Sequence, residues 1–252
     1  GNTKIRQADS KDMVNWSEGK NAFSLKMSSE ISYGVFVSDT GNTTGYKNAS
    51  KEMLVAMLLV KSGNAGQSDS AYFEMGISSD SGNSWKLVKD KISFPGKLDV
   101  SRKPSVLWDV NAGKWIMTIT EFNDIYFYSS PDLKNWTAES TFSIPEELGA
   151  GAVDKATLLQ IAGSEKHILL VDNGQGGTNG GSWVQYFVGT FDGHNFVNQS
   201  KKIHIFDYGK DNYSNVVCSG LPQTDRRTLL IGWMSNQEYS WKSDKLPWCG
   251  MM

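Results

Sequence analysis

A short turn signature recurs along this chain, and its spacing limits the fold more than any other feature. It reads Asp12-Met13-Val14-Asn15-Trp16, then Asp132-Leu133-Lys134-Asn135-Trp136, then Asp192-Gly193-His194-Asn195-Phe196. A version one residue longer spans Ser78 to Trp85 around Asp80 and Gly82. Asp and Asn side chains bond the backbone amides of such turns, which leaves the aromatic free to pack between sheets. Successive aromatics, Trp16, Trp85, Trp136 and Phe196, stand about 69, 51 and 60 residues apart, room for four short strands per unit. All four rings are expected to be structural.

Apolar runs rich in β-branched and aromatic residues precede the turns in pairs: 53–60 with 71–78, 114–120 with 124–130, and 167–172 with 183–190. Residues 227–234 repeat the first member of a pair, and one further strand lies upstream in each unit, at 34–39, 104–109, 154–161 and 214–219. No stretch sustains a 3.6-residue apolar period, so helix is minor. The expectation is an all-β β-propeller, residues 1–252 forming one domain, with the upstream strands lining a central channel where ligand chemistry would sit. The turns resemble the Asp-box hairpin of several propeller families. Residues 12–16 look like the tail of a blade whose inner strands are not in the sequence, so four to five blades are expected, the first incomplete.

Charge narrows the partners. Lys plus Arg is 25 against 27 Asp plus Glu, so no basic face for nucleic acid or an anionic membrane is expected. No run of 18 apolar residues predicts a membrane span. Nine Trp suit both a β-rich core and the flat rings that meet sugar faces. His167, His194 and His204 are scattered and read as surface or turn residues; no metal or cofactor is expected. Cys218 and Cys249 lack metal-ligand spacing, and their pairing is open.

Several motifs resemble glycoside hydrolase family 32, the invertases, inulinases and levanases, in that family's order and spacing. Arg102-Lys103-Pro104-Ser105-Val106-Leu107-Trp108, followed by the segment from Phe127 to Trp136, looks like its third blade. Asp172-Asn173-Gly174, Gln185-Tyr186-Phe187-Val188-Gly189 and Phe191-Asp192-Gly193 look like its fourth. Asp207-Tyr208-Gly209, Tyr213 and the run Ile231 to Asn236 look like its fifth, and Pro247-Trp248-Cys249-Gly250 resembles its Pro-Trp-Arg-Gly. The resemblance implies a five-bladed fructosidase propeller with a funnel-shaped site; the family's C-terminal β-sandwich has no counterpart here.

It also implies three carboxylates, and this chain departs at each. The family's nucleophile sits in Trp-Met-Asn-Asp-Pro-Asn-Gly, which does not occur in this sequence. Its Arg-Asp-Pro reads Arg102-Lys103-Pro104, and the acid/base Glu of Glu-Cys-Pro-Asp aligns with Asp154, followed by Lys155, Ala156 and Thr157. Retaining glycoside hydrolysis needs a nucleophilic carboxylate about 5 Å from a protonated acid. Lys103 reverses a charge, and each charge term at 4 Å and an effective dielectric of 20 is worth up to about 4 kcal/mol. The resemblance therefore implies a degenerate, non-catalytic relative that binds fructan, levan or inulin, with no catalytic residue assigned. Its expected sugar-binding residues are Arg102, Lys103, Asp154, Lys155, Tyr213 and Trp233. Two other roles stay open: an ion pair from Arg102 to Asp154, and plain packing for Tyr213 and Trp233. The expected setting is outside the cytoplasm, at a bacterial cell surface or periplasm, beside a hydrolase and an uptake complex. The alternative is an active fructosidase whose nucleophile lies upstream or on another chain.

Overall fold

A computed structural model describes residues 5–21, 30–46, 53–62, 70–149, 153–218 and 227–235. The described residues are β-strands and turns, plus one 3-10 turn at Glu146–Leu148. They group into two compact units, 1–101 with 132–135 and 102–131 with 136–252.

In the first unit β1 (Arg6–Gln7) pairs with β2 (Lys20–Asn21). Beside them in sequence is a meander of β3 (Ile31–Ser38), β4 (Leu54–Lys61), β5 (Ser70–Ser78) and β6 (Lys86–Leu87), with β7 (Leu98–Asp99) also paired to β5. β4 reads Leu-Val-Ala-Met-Leu-Leu-Val-Lys and is buried along nearly its whole length, which is why it is apolar without alternation. Trp85 packs with Ala56, Leu58 and Val60, edge-on to Phe36.

The described residues of the second unit form three sheets. β8 (Ser105–Asp109), β9 (Lys114–Glu121), β10 (Asp124–Ser130) and β11 (Thr137–Ser143) form an antiparallel meander. β12 (Val153–Gln160), β13 (Lys166–Asn173), β14 (Trp183–Phe191) and β15 (Phe196–Asn198) form the next, and β16 (His204–Ile205) pairs with β14. β17 (Tyr213–Cys218) pairs with β18 (Leu229–Trp233). Ile116, Phe127, Leu158, Leu169, Phe187 and Phe196 interlock between the first two of these sheets. The Thr118 hydroxyl donates across to the Ala156 carbonyl at 2.6 Å. Leu159, Leu170 and Val184 face Val217 and Leu230 on the other side of the middle sheet.

The recurring turns behave alike. Asp12 Oδ1 accepts the amides of Val14 and Asn15 at 2.9 and 2.7 Å, and Asp132 Oδ1 those of Lys134 and Asn135 at 2.9 and 2.8 Å. Asp192 Oδ1 accepts His194 N and Asn195 N, and Asp80 Oδ1 accepts Ser84 N. In all four the residue after the Asp is left-handed: Met13 at φ 63°, Ser81 at 58°, Leu133 at 63° and Gly193 at 91°. The carboxylate bonds hold a conformation that an L-residue otherwise avoids.

Two expectations change. Trp16 is 51% exposed, whereas Trp136 and Phe196 are buried as structural rings. The Trp16 turn projects from short two-residue strands, which offer little apolar surface to cover it. His167, expected at the surface, is wholly buried: its Nε2 lies 2.7 Å from Asp109 Oδ2. Burial alone would raise the Asp109 pKa, but the bonds from His167 and Ala112 N hold it below the usual carboxylate value. His194 sits exposed in its turn, and His204 stacks on Tyr186. Cys249 and residues 236–252, including the Pro247–Gly250 motif, lie outside the described residues.

Candidate functional site

Six of the expected site residues lie at the beginnings of β8, β12 and β17 or at the end of β18. Arg102 and Lys103 enter β8 through Pro104, which needs no ladder donor at the strand's start. At the start of β12 the register slips between Val153 and Lys155, so Asp154 is the bulged residue. β17 slips in the same way between Tyr213 and Val216, with Asn212 and Ser214 at φ 73° and 57°. A bulge re-aims a side chain out of the alternating pattern. Here the bulge re-aims Asp154, Tyr213 stands beside the bulge at Ser214–Asn215, and the Tyr213 hydroxyl donates to Asp154 Oδ2.

Lys103 Nζ completes the centre, donating to Asp154 Oδ1 at 2.6 Å and Oδ2 at 2.5 Å. Asp154 thus accepts from an ammonium and a phenol together. Burial, reinforced by the Asp154 bond, pushes the Tyr213 pKa far above its ordinary value, so Tyr213 remains a donor. The side chains of Lys103 and Asp154 are 31% and 21% exposed, leaving the pair accessible from solvent. The Trp233 ring lies 6.4 Å from the Tyr213 ring at a 50° tilt.

Arg102 is part of the same cluster through a different partner. Its Nη2 lies 2.7 Å from Glu121 Oε1 and its Nη1 donates to the Thr120 carbonyl at 2.7 Å. The Thr120 hydroxyl in turn donates to the Asp154 carbonyl at 3.0 Å. The pairing of Arg102 with Asp154 considered from sequence is therefore replaced: Lys103 takes Asp154, and Glu121 at the end of β9 takes Arg102. Nothing in the sequence singled out Glu121.

Lys155 points elsewhere. Its ammonium is buried, donates to the Asn215 carbonyl and lies 3.7 Å from Asp172 Oδ2. Burial pulls the Lys155 pKa down and pushes the Asp172 pKa up; their mutual attraction partly offsets both, and the bonds from Asn215 further offset that of Asp172. This buried pair ties β12, β13 and β17 together through Asn215. Gly232 allows Asn212 and Asn215 their close approach: a Cβ there would stand 2.9 Å from Asn215 Oδ1.

Chemically the centre presents one ion pair, one phenol, one guanidinium already forked between two oxygens, and an indole. Such a set exchanges hydrogen bonds with neutral hydroxyls well. At the far ends of the same three strands, Trp108, Gln160 and Cys218 line a cavity of about 210 Å³ that shares none of these groups.

Comparison with known proteins identifies the family. The model of the glycosyl hydrolases family 32 N-terminal domain matches residues 1–252. The levanase of Bacillus subtilis is 34% identical over 96% of this chain and 36% of its own length. Invertase 1 of Saccharomyces cerevisiae is 30% identical over 97% of this chain and 47% of its own. The structure of fructofuranosidase from Schwanniomyces occidentalis complexed with fructose superposes with a TM-score of 0.77 and 25% identity, over 98% of this chain and 49% of that one. The chain thus spans half or less of the length of these relatives, and its fold is the all-β fructosidase type of propeller. This chain belongs to glycosyl hydrolases family 32, whose N-terminal domain model matches residues 1–252.

Proposed function

We propose that this chain binds fructan, levan or inulin, without cleaving it. The observation that carries the reading is the ion pair of Lys103 with Asp154. Asp154 aligns with the family's acid/base, and an acid must hold a proton to give it to the leaving oxygen. Here the Asp154 carboxylate accepts two bonds from the Lys103 ammonium and one from the Tyr213 phenol, partners that favour the unprotonated form. Lys103 also puts a cation where the family's Arg-Asp-Pro has an anion, beside a transition state that is itself cationic. The same groups suit sugar hydroxyls, and Tyr213 with Trp233 supplies ring surface. Relatives named as extracellular inulinases support a setting outside the cytoplasm, where capture would serve a neighbouring hydrolase and an uptake complex.

The second reading is a fructosidase, favoured by family membership and by the levanase and invertase relatives. Calorimetry with levan, inulin and unrelated glucans, run alongside reducing-sugar release, separates the two. Binding of a fructan without release supports the proposal. Release that disappears on Asp154→Asn establishes the second reading, and an absence of fructan binding removes the first.

A further inference from the structure

Two aromatic rings stand in solvent on separate segments that both lead into the Lys103–Asp154 centre. Phe122 is 86% exposed and Tyr208 is 72% exposed. Exposed apolar side chains are common singly, but Phe122 differs from that background in its backbone and both rings differ in their place.

Phe122 occupies the two-residue turn between β9 and β10, next to Glu121, the partner of Arg102. Its φ is 53°, a left-handed conformation that Gly or Asn adopts readily and a bulky aromatic does not. The turn is anchored all round: Ile144 N donates to the Asn123 carbonyl at 3.0 Å, and the Ser143 hydroxyl to Asp124 Oδ1 at 2.6 Å. A strained backbone that holds a ring in water gains nothing from packing. Strain of this kind collects where a ligand is held.

Tyr208 lies on the strap 206–212 that enters β17 at Tyr213. Asp207 accepts Gly209 N at 2.6 Å and Asn212 Nδ2 at 3.2 Å, Phe206 N donates to the Val184 carbonyl at 2.9 Å, and Asn179 Nδ2 donates to the Tyr208 carbonyl. The strap is thus tied down on both sides of the exposed ring. Tyr208 and Tyr213 are five positions apart, a reach of at most about 17 Å.

We infer that Phe122 and Tyr208 are stacking platforms for successive units of a sugar chain that runs through the Lys103–Asp154–Tyr213 centre. The inference rests on the carbohydrate-binding reading above and makes the ligand an oligo- or polysaccharide rather than a free monosaccharide. Sugar rings present an apolar face to an aromatic ring while their hydroxyls remain in water, so rigidly held exposed rings suit them. Arg102, Lys103 and Tyr213 serve the hydroxyls of the central unit, and the two rings serve the units to either side.

Calorimetry on the full chain with fructose and with levan and inulin tests this, using Phe122→Asn, Tyr208→Ser and Tyr208→Phe. Phe122→Asn is expected to weaken binding of the bound polymer about fivefold to tenfold while raising the melting temperature, because Asn relieves the turn. Tyr208→Ser weakens it similarly and Tyr208→Phe restores it; fructose binding changes in none of the variants. If the wild-type chain binds polymer and both Phe122→Asn and Tyr208→Ser bind it equally well, the platforms are refuted while the fructan reading stands. If the wild-type chain binds no polysaccharide, both fall together.

Discussion

The Lys103 ammonium lies within 2.6 Å of both carboxylate oxygens of Asp154, although the two residues are 51 positions apart and belong to different sheets. Both are partly open to water, so the pair is screened and its net worth is modest. Lys103→Asp should place two carboxylates face to face and lower stability by about 1 kcal/mol, read as a lower urea midpoint. The swapped pair Lys103→Asp with Asp154→Lys should recover most of that loss. An additive double variant would mean the two groups do not interact in solution.

The deeper pair of Lys155 and Asp172 carries a larger stake. Both side chains are 3% exposed, so removing one partner strands the other away from water. Asp172→Ala or Lys155→Met should cost about 3–5 kcal/mol, whereas replacing both together with apolar residues should cost far less. Denaturant unfolding of the three variants checks the order.

Acid should destabilise the chain in a defined window. Asp12, Asp80, Asp109, Asp192 and Glu139 all have pKa values held below their ordinary ones in the folded state, by turn amides and serines or by His167, His194 and Lys114. Groups depressed in this way stabilise the fold above their unfolded values, and the contribution is lost as pH falls from about 4 through the folded values. Asp80, lowered to about 2, gives up its share near that pH, and Asp12, held lower still, does so last. Asp172, raised by burial, acts with the opposite sign, losing stability as pH rises through its folded value. Urea midpoints between pH 6 and pH 2 should therefore fall, and Asp109→Asn should flatten the slope.

The left-handed residue in each recurring turn predicts substitutions of opposite sign. Met13→Gly should stabilise by about 1 kcal/mol, because glycine adopts a φ of 63° without Cβ strain. Gly193→Ala should destabilise by about 1–2 kcal/mol, since its φ is 91° and its Cβ would stand 3.1 Å from that of Ala112. Thermal melts of both variants decide it.

Much of the architecture was legible before any coordinates. The apolar runs at 53–60, 114–120 and 167–172 emerged as the buried strands β4, β9 and β13 within a residue or two, because a strand buried on both faces must be apolar along its whole length. The short outer strands β6, β11 and β15 carry no such signal: β11, Thr-Ala-Glu-Ser-Thr-Phe-Ser, is polar and largely open to solvent, so no apolar pattern marks it.

The site divides in the same way. Local sequence determined which residues stand at the heads of the inner strands, because Arg102, Lys103, Asp154 and Tyr213 fall just before or within apolar runs bounded by turn residues. Only the tertiary structure decided who pairs with whom. The bulges at Asp154 and at Ser214–Asn215 and the reach of Glu121 to Arg102 arise from pairing between strands, and the bonds of Lys103 and Tyr213 to Asp154 from the meeting of different sheets; no short-range pattern encodes them. The physical reason is that an ion pair is set by where side chains converge in space, whereas a strand is set by the alternation and burial of its own neighbours.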